Sequence, residues 1–471
     1  MDFFYYDISF LVIFCLIVGI FLYRNKKKLQ IESKVFILYR TKVGLKIIEK
    51  LSKIIPSEFL STVIIASGYL MMVSALYLLY ISIKAFAGMI IVPNVPPLMP
   101  LIPYVTTIFK TPFLPPFYFT YWIITICIIA VVHEFAHGIF ARFYGVKLKA
   151  TGFGFLGPLL AAFVELDEKQ MAKKKIKAQL AILSAGSFAN LIFAVIFFLL
   201  MQLFFSATFI QSGVLMPDLN VAGVVIPSYS LVQINTSSIG DFNLTKTSEM
   251  MKEKNLTELK ITAENKSYFL TPDLALIQEA IQKINKKELD EIIFYEDSPA
   301  YNAKIKGVIQ EINYIKIKNY SEFDKVMLTL KPNETIKLRT SEGNYTINLT
   351  EYPDNSSRGY LGLGFPIDQK GSVVSNIIKT LTGRKDSYTY FTSSSIAVFI
   401  YNLLLWITLI NFSVMIMNML PFSIFDGGRF FYLTALALTK SKKKAFTAFK
   451  VASMIVLLML LGTMVVWLFK I

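Results

Sequence analysis

Long apolar runs alternate with charged stretches along this chain, and the runs share one length class. They fall at about 8–23, 57–83, 119–144, 180–206, 394–418 and 446–469. About 20 apolar residues in a helix cross the ~30 Å hydrocarbon core of a bilayer. Six membrane-spanning helices are therefore expected. Between the fourth and fifth runs the pattern changes to polar residues with apolar positions at period two, the mark of half-buried strands. The expected fold is a polytopic α-helical membrane protein of about six spans carrying an α+β insert. Its divisions are a first span and basic segment (1–56), a membrane core (57–206), the insert (207–375) and a second membrane core (376–471).

Composition agrees: 54% of the 471 residues are hydrophobic, and the mean hydropathy is +0.54. The net charge of +16 would suggest nucleic acid in a soluble protein. Here most Lys and Arg flank apolar runs, where they set topology and face anionic lipid, so no nucleic-acid partner is expected. Cys15 and Cys127 both lie inside apolar runs, with neither metal-like spacing nor a disulfide framework. The first run lacks a basic leader and a small-residue cleavage site, so it reads as a retained span.

The basic loops orient the spans. Arg24 and Lys26–Lys28 begin a basic stretch to Pro56, and Lys169, Lys173–Lys175, Lys177, Lys440 and Lys442–Lys444 mark two further loops as cytoplasmic. The N-terminus and residues 207–375 then lie outside, in the cell membrane by the simplest reading. Apolar positions Val35, Leu38, Leu45 and Ile48 would let the first basic segment lie along the membrane surface. Asn-x-Ser/Thr sequons at Asn235, Asn243, Asn255, Asn265, Asn319, Asn333, Asn344, Asn348 and Asn355 all fall in the insert, as glycosylation on the outside requires. An Asn-rich segment also makes sequons by chance.

The insert repeats itself. Ile234-Asn235 recurs as Ile312-Asn313, Leu259 and Ile261 as Ile336 and Leu338, and Tyr268 and Leu270 as Tyr345 and Ile347. The offset of about 78 residues suits two small β-rich modules in tandem, each with a helix, for example 274–291. The second, through Ser298-Pro299-Ala300, Gly307-Val308-Ile309, Ile312-Asn313 and a helix from Phe323 to Leu330, resembles a PDZ domain. It departs where Tyr314 replaces the usual glycine.

Candidate chemistry sits in the third run. His133-Glu134-Phe135-Ala136-His137 places two imidazoles at i and i+4, on one helix face, where they can grip one zinc ion. Glu134 stands beside them as a base for a metal-bound water. These are the chain's two histidines, and two random residues would fall four apart roughly once in two hundred tries. Ionisable groups at that depth cost several kcal/mol (~3 or more) unless paired or metal-bound. The alternative is a buried polar cluster without metal. A third ligand must be a carboxylate, and Asp426 is the candidate: Pro421 breaks the preceding helix, and Gly427-Gly428 permit a tight backbone. Asp426 could equally cap the helix 427–438, which is compatible with ligation.

With these residues in place the chain resembles the site-2 protease family of zinc intramembrane metalloproteases. That family pairs H-E-x-x-H on one span with Asn-x-x-Pro…Asp-Gly on a later one, here Asn418, Pro421 and Asp426-Gly427, and often inserts PDZ modules between them. Phe425 replaces the usual Leu. The resemblance implies Zn2+ on His133, His137 and Asp426, catalysis by Glu134, and membrane-spanning protein substrates in the lipid bilayer. It also implies that Asn190, in Gly186-Ser187-Phe188-Ala189-Asn190, hydrogen-bonds the scissile carbonyl or substrate backbone; Ser187 stands where the family has proline. Gly152 to Val164 would suit the re-entrant hairpin that pairs with substrate. The competing functions are a zinc transporter and a non-catalytic scaffold binding peptides through the insert. Few ionisable residues in the other spans argue against the first, and the intact Glu134 argues against the second.

Overall fold

A computed structural model of the chain describes residues 3–32, 36–88, 99–109, 114–156, 159–211, 213–214, 223–227, 231–234, 237–238, 243–263, 266–272, 274–276, 278–279, 291–353, 355–363, 390–391 and 394–468. It divides into two compact units, residues 1–204 with 396–471, and residues 205–395.

The first unit is helical. Its helices are α1 (Phe3–Arg24), α2 (Leu45–Leu51), α3 (Glu58–Gly88), α4 (Val105–Ile108), α5 (Phe119–Phe143), α6 (Glu168–Ala172) and α7 (Ile176–Thr208), then α11 (Ser395–Asn418), α12 (Asp426–Thr439) and α13 (Lys442–Leu468). Six of these, α1, α3, α5, α7, α11 and α13, are long and apolar enough to cross a membrane. The chain thus has the make-up of an integral membrane protein.

α5 carries the His-Glu motif, and its placement begins at its N-terminus. The first N–H groups of a helix lack partners, and Tyr118, the N-cap of α5, supplies no side-chain bond. Asp7 of α1 supplies it instead. It is 1% exposed and accepts from Phe119 N (2.8 Å), Thr120 N (2.9 Å), Thr120 Oγ1 (2.5 Å) and the Tyr104 hydroxyl (2.7 Å). A carboxylate buried in an otherwise apolar helix is thereby satisfied, in the position that the helix dipole favours.

Four antiparallel strands form a sheet in the order β1 (Leu29–Glu32), β2 (Phe36–Thr41), β3 (Leu148–Leu156), β4 (Leu159–Leu166). The segment expected on the membrane surface is therefore partly built into this sheet. β2 pairs with β3 from Ile37↔Phe155 to Thr41↔Thr151, and Arg40 bonds Glu165 at 2.7 Å. The Gly-rich β3 explains the approach: a Cβ on Gly152 would lie 2.3 Å from the Tyr39 carbonyl. Ile48, in α2, is wholly buried in a core with Ile64, Ile139, Phe140, Val164, Ile182, Met419 and Phe430. That core ties α2, α3, α5, β4, α7, α11 and α12 around the motif.

The second unit holds β5 (Ile210–Gln211), β6 (Gly223–Pro227), β7 (Leu231–Ile234), β8 (Ser237–Ser238), α8 (Leu244–Glu253), β9 (Leu259–Ala263), β10 (Lys266–Leu270) and β11 (Glu291–Glu296). After these come α9 (Pro299–Asn302), β12 (Ile309–Ile312), β13 (Ile315–Lys316), α10 (Tyr320–Thr329), β14 (Thr335–Thr340), β15 (Asn344–Asn348), β16 (Thr350–Tyr352), β17 (Asn355–Tyr360) and β18 (Tyr390–Phe391). One sheet runs β6-β11-β10-β9-β7-β8 and another β13-β12-β14-β15. The order β8-β7-β9-β10 with α8 matches β13-β12-β14-β15 with α10, so the sequence repeat is a repeat of topology. Asn243 and Asn319 cap the equivalent helices, accepting from Lys246 N and Glu322 N. The repeated apolar residues Leu259, Ile261, Leu270, Ile336, Leu338 and Ile347 are buried in the two cores. Of the helix expected over 274–291, residues 277 and 280–290 lie outside the described ones.

Candidate metal centre

His133 and His137, one turn apart on α5, face the same way. Their rings stand edge to face, with centroids 4.6 Å apart and both residues more than nine-tenths buried. Their Nε2 atoms are 3.0 Å apart, and each lies 3.2 Å from Asp426 Oδ2. Among the described residues this triad is the group of His, Cys, Asp or Glu able to hold a metal ion. His137 Nδ1 lies 2.7 Å from the Ile182 carbonyl of α7. A carbonyl only accepts, so Nδ1 carries the proton and Nε2 presents its lone pair to the centre.

Asp426 reaches the triad because the chain turns sharply after α11. The turn holds Pro421 and closes through Phe425 N to Phe422 O (3.0 Å) and Gly428 N to Phe425 O (3.0 Å). Phe425 is the N-cap, and Asp426 is the first residue of α12, where a carboxylate suits the helix dipole. A Cβ on Gly427 would lie 2.3 Å from the Met419 carbonyl carbon, and one on Gly428 2.3 Å from Phe422 O. Glycine at both positions lets α12 fold back this closely.

The other expected residues take distinct places. Glu134 Oε2 accepts from Val164 N of β4 at 3.0 Å, which fixes this carboxylate between α5 and the sheet. Asn190 is wholly buried on α7, with Nδ2 3.0 Å from His133 Nδ1. Asn418, at the end of α11, places Nδ2 3.4 Å from His133 Nε2.

A family model described as Peptidase family M50 matches residues 121–462 of the chain. The chain belongs to peptidase family M50. The M50 match includes His133, Glu134, His137, Asn190, Asn418 and Asp426, and M50 peptidases are metalloproteases of the site-2 type. Uncharacterized protein MJ0971 of Methanocaldococcus jannaschii is 36% identical over 190 residues, 39% of this chain and 48% of that protein. The chain thus spans about half the length of this curated relative.

Two residues of this M50 chain had a visible signal in the sequence but no role assigned. Gly186 lies mid-helix in α7, where glycine costs about 1 kcal/mol against alanine. A Cβ there would lie 2.4 Å from His137 Nε2 and 2.7 Å from His133 Nε2, so the bare backbone of α7 closes one side of the centre. An isolated glycine inside an apolar helix pattern is the cue for such close approach. Asn418 opens the Asn-x-x-Pro motif, but only the turn back to α12 shows it facing the triad.

Proposed function

We propose that this protein is a zinc-dependent intramembrane endopeptidase that hydrolyses peptide bonds of membrane-spanning proteins, the chemistry of regulated intramembrane proteolysis. The observation that carries the reading is the convergence of two imidazole nitrogens and one carboxylate oxygen at 3.0–3.2 Å, on apolar helices and beside Glu134. Zinc bonds of 2.0–2.1 Å in a tetrahedron set ligand edges of about 3.3–3.4 Å. The triad needs to open by only a few tenths of an ångström (~0.1–0.4 Å) to fit. Three protein ligands also leave a fourth position for water.

When bound, zinc would acidify that water and polarise the scissile carbonyl. Glu134 takes the water proton and passes it to the leaving amine. Its bond from Val164 N holds one carboxylate oxygen in place while the other is free to work. Asn418 can donate its amide toward oxyanion charge near His133.

Substrate recognition by backbone pairing is supported by β4. It is the edge strand of its sheet and lies along α5. Val164 N points away from β3 to Glu134, so by strand alternation the N–H and C=O groups of Leu160 and Ala162 face that same open edge. An unwound substrate segment added there would run beside the base. The basic loops support a cytoplasmic exposure of this end, with the N-terminus and the repeat unit extracytoplasmic. In that orientation the repeats act as PDZ-like modules and their sequons are open to glycosylation.

The test is metal analysis and cleavage of a single-span substrate in proteoliposomes. Glu134→Gln should keep one zinc per chain and lose cleavage; Asp426→Ala should lose both. A Glu134→Gln protein cleaving at the wild-type rate would refute the proposal, and would favour a transporter or a peptide-binding scaffold.

A further inference from the structure

We infer that Asn190 is a positioning residue of the metal centre: its side-chain carbonyl accepts the Nδ1–H of His133 and holds Nε2 toward the ion. The inference rests on the zinc reading above, but it concerns how a ligand is oriented and not how a bond is cut.

His133 can give Nε2 to a metal only as the tautomer that carries its proton on Nδ1. That proton needs an acceptor, because the ring is buried and an unmet donor there costs about 1–3 kcal/mol. The group facing Nδ1 is the Asn190 amide, at 3.0 Å. With the amide nitrogen turned to the ring, Nδ1 would have to be bare and Nε2 protonated, aimed at His137 Nε2 and unable to ligate. The amide's other end tells the same story: Asn190 Oδ1 is buried without a partner. Half a turn about the last side-chain bond exchanges two atoms of nearly equal size. It puts Oδ1 on the Nδ1 proton and sends Nδ2 to the position Oδ1 had held. One rotation thus answers the ring's need and removes the stranded carbonyl. His133 and His137 are then held alike, each by an oxygen of α7 on Nδ1, from Asn190 and Ile182. This role uses the Asn190 oxygen, whereas hydrogen-bonding a substrate carbonyl uses its nitrogen.

The experiment measures zinc affinity of the full chain in detergent by chelator competition, for wild type, Asn190→Ala and Asn190→Asp. Loss of a partner that orients a ligating histidine typically weakens metal binding 10–100-fold. Asn190→Ala should show that loss, and Asn190→Asp, which can only accept, should bind within a few-fold of wild type or more tightly. With two histidines in the chain, ¹⁵N-histidine spectra carry four ring nitrogens. The His133 Nδ1–H resonance should shift in Asn190→Ala and stay hydrogen-bonded in Asn190→Asp. Wild-type zinc affinity and an unshifted Nδ1 signal in a folded Asn190→Ala protein would overturn the inference. Should Asn190→Ala fail to fold, the isosteric Asn190→Asp decides: loss of zinc from it overturns the acceptor role. A wild-type protein that binds no zinc would instead overturn the zinc reading itself, and this assignment with it.

Discussion

Adding one methyl group at Gly186 should empty the metal centre while leaving the protein folded. The new Cβ would stand 2.4 Å from His137 Nε2, 2.6 Å from His133 Cε1 and 2.7 Å from His133 Nε2. Ordinary contacts between such atoms are about 3.5–4 Å, so one ring or α7 itself must give way by about 1 Å. Zinc ligation tolerates about 0.2 Å, so at least one imidazole leaves coordination range. The stability effect is much smaller. Overpacking costs about 1–3 kcal/mol, and replacing glycine by alanine within a helix returns about 1 kcal/mol. A net loss of no more than about 2 kcal/mol should not unfold a unit of this size. Gly186→Ala should therefore elute as folded protein and melt within a few degrees of the metal-free wild type (~5 °C or less). It should contain well under 0.1 zinc per chain and cleave about 100-fold or more slowly, the penalty for a 1 Å misplacement at a reacting centre. Elemental analysis, thermal denaturation with and without chelator, and proteoliposome cleavage measure the three quantities. A Gly186→Ala protein with stoichiometric metal and wild-type cleavage would refute the claim that bare α7 backbone closes the site.

The remaining expectations concern the parts that position the site and the repeat unit. Asp7→Ala removes the acceptor for Phe119 N, Thr120 N, Thr120 Oγ1 and the Tyr104 hydroxyl, and should cost about 2–4 kcal/mol, read as a lowered melting temperature; an unchanged melt would show that α1 does not cap α5. Gly427→Val should destroy metal retention as thoroughly as loss of Asp426, because its side chain would meet the Met419 carbonyl; elemental analysis of the purified variant checks this. Burial, and then a hydrogen bond to a glutamate, raises the phenols of Tyr301 (with Glu258) and Tyr360 (with Glu296) above the usual tyrosine value of 10.0. The folded protein therefore keeps these protons after the unfolded chain has begun to lose them. Their contribution is whole below about pH 10 and falls as pH rises beyond it. Tyr301→Phe with Tyr360→Phe should flatten the decline of the melting temperature between pH 9 and about 11; an identical slope would contradict this assignment.

What the sequence determined about this protein is what neighbouring residues decide. Span length set six helices, because the bilayer thickness imposes it on each helix separately. The i, i+4 spacing put His133 and His137 on one face by helix geometry alone. The recurrence of Leu259 and Ile261 as Ile336 and Leu338 marked two β-rich modules in tandem, because strand alternation is carried by neighbouring residues. Asp426 was legible as a candidate because few residues that can bind metal lie at membrane depth. Tertiary structure decided the contacts that need several elements to pack at once. Asp426 meets His133 across 293 positions of chain, and Asp7 meets Phe119 across 112. The stretch Ile37–Thr41 pairs with β3, which its own residues do not foretell, since the glycine-rich partner strand lies more than 100 positions away in the chain. In the sequence Gly186 is one glycine within an apolar run, and only the two imidazoles packed against it show why no side chain can stand there. Periodicity records which face a residue takes; which partner fills that face depends on the free energy of packing the whole unit.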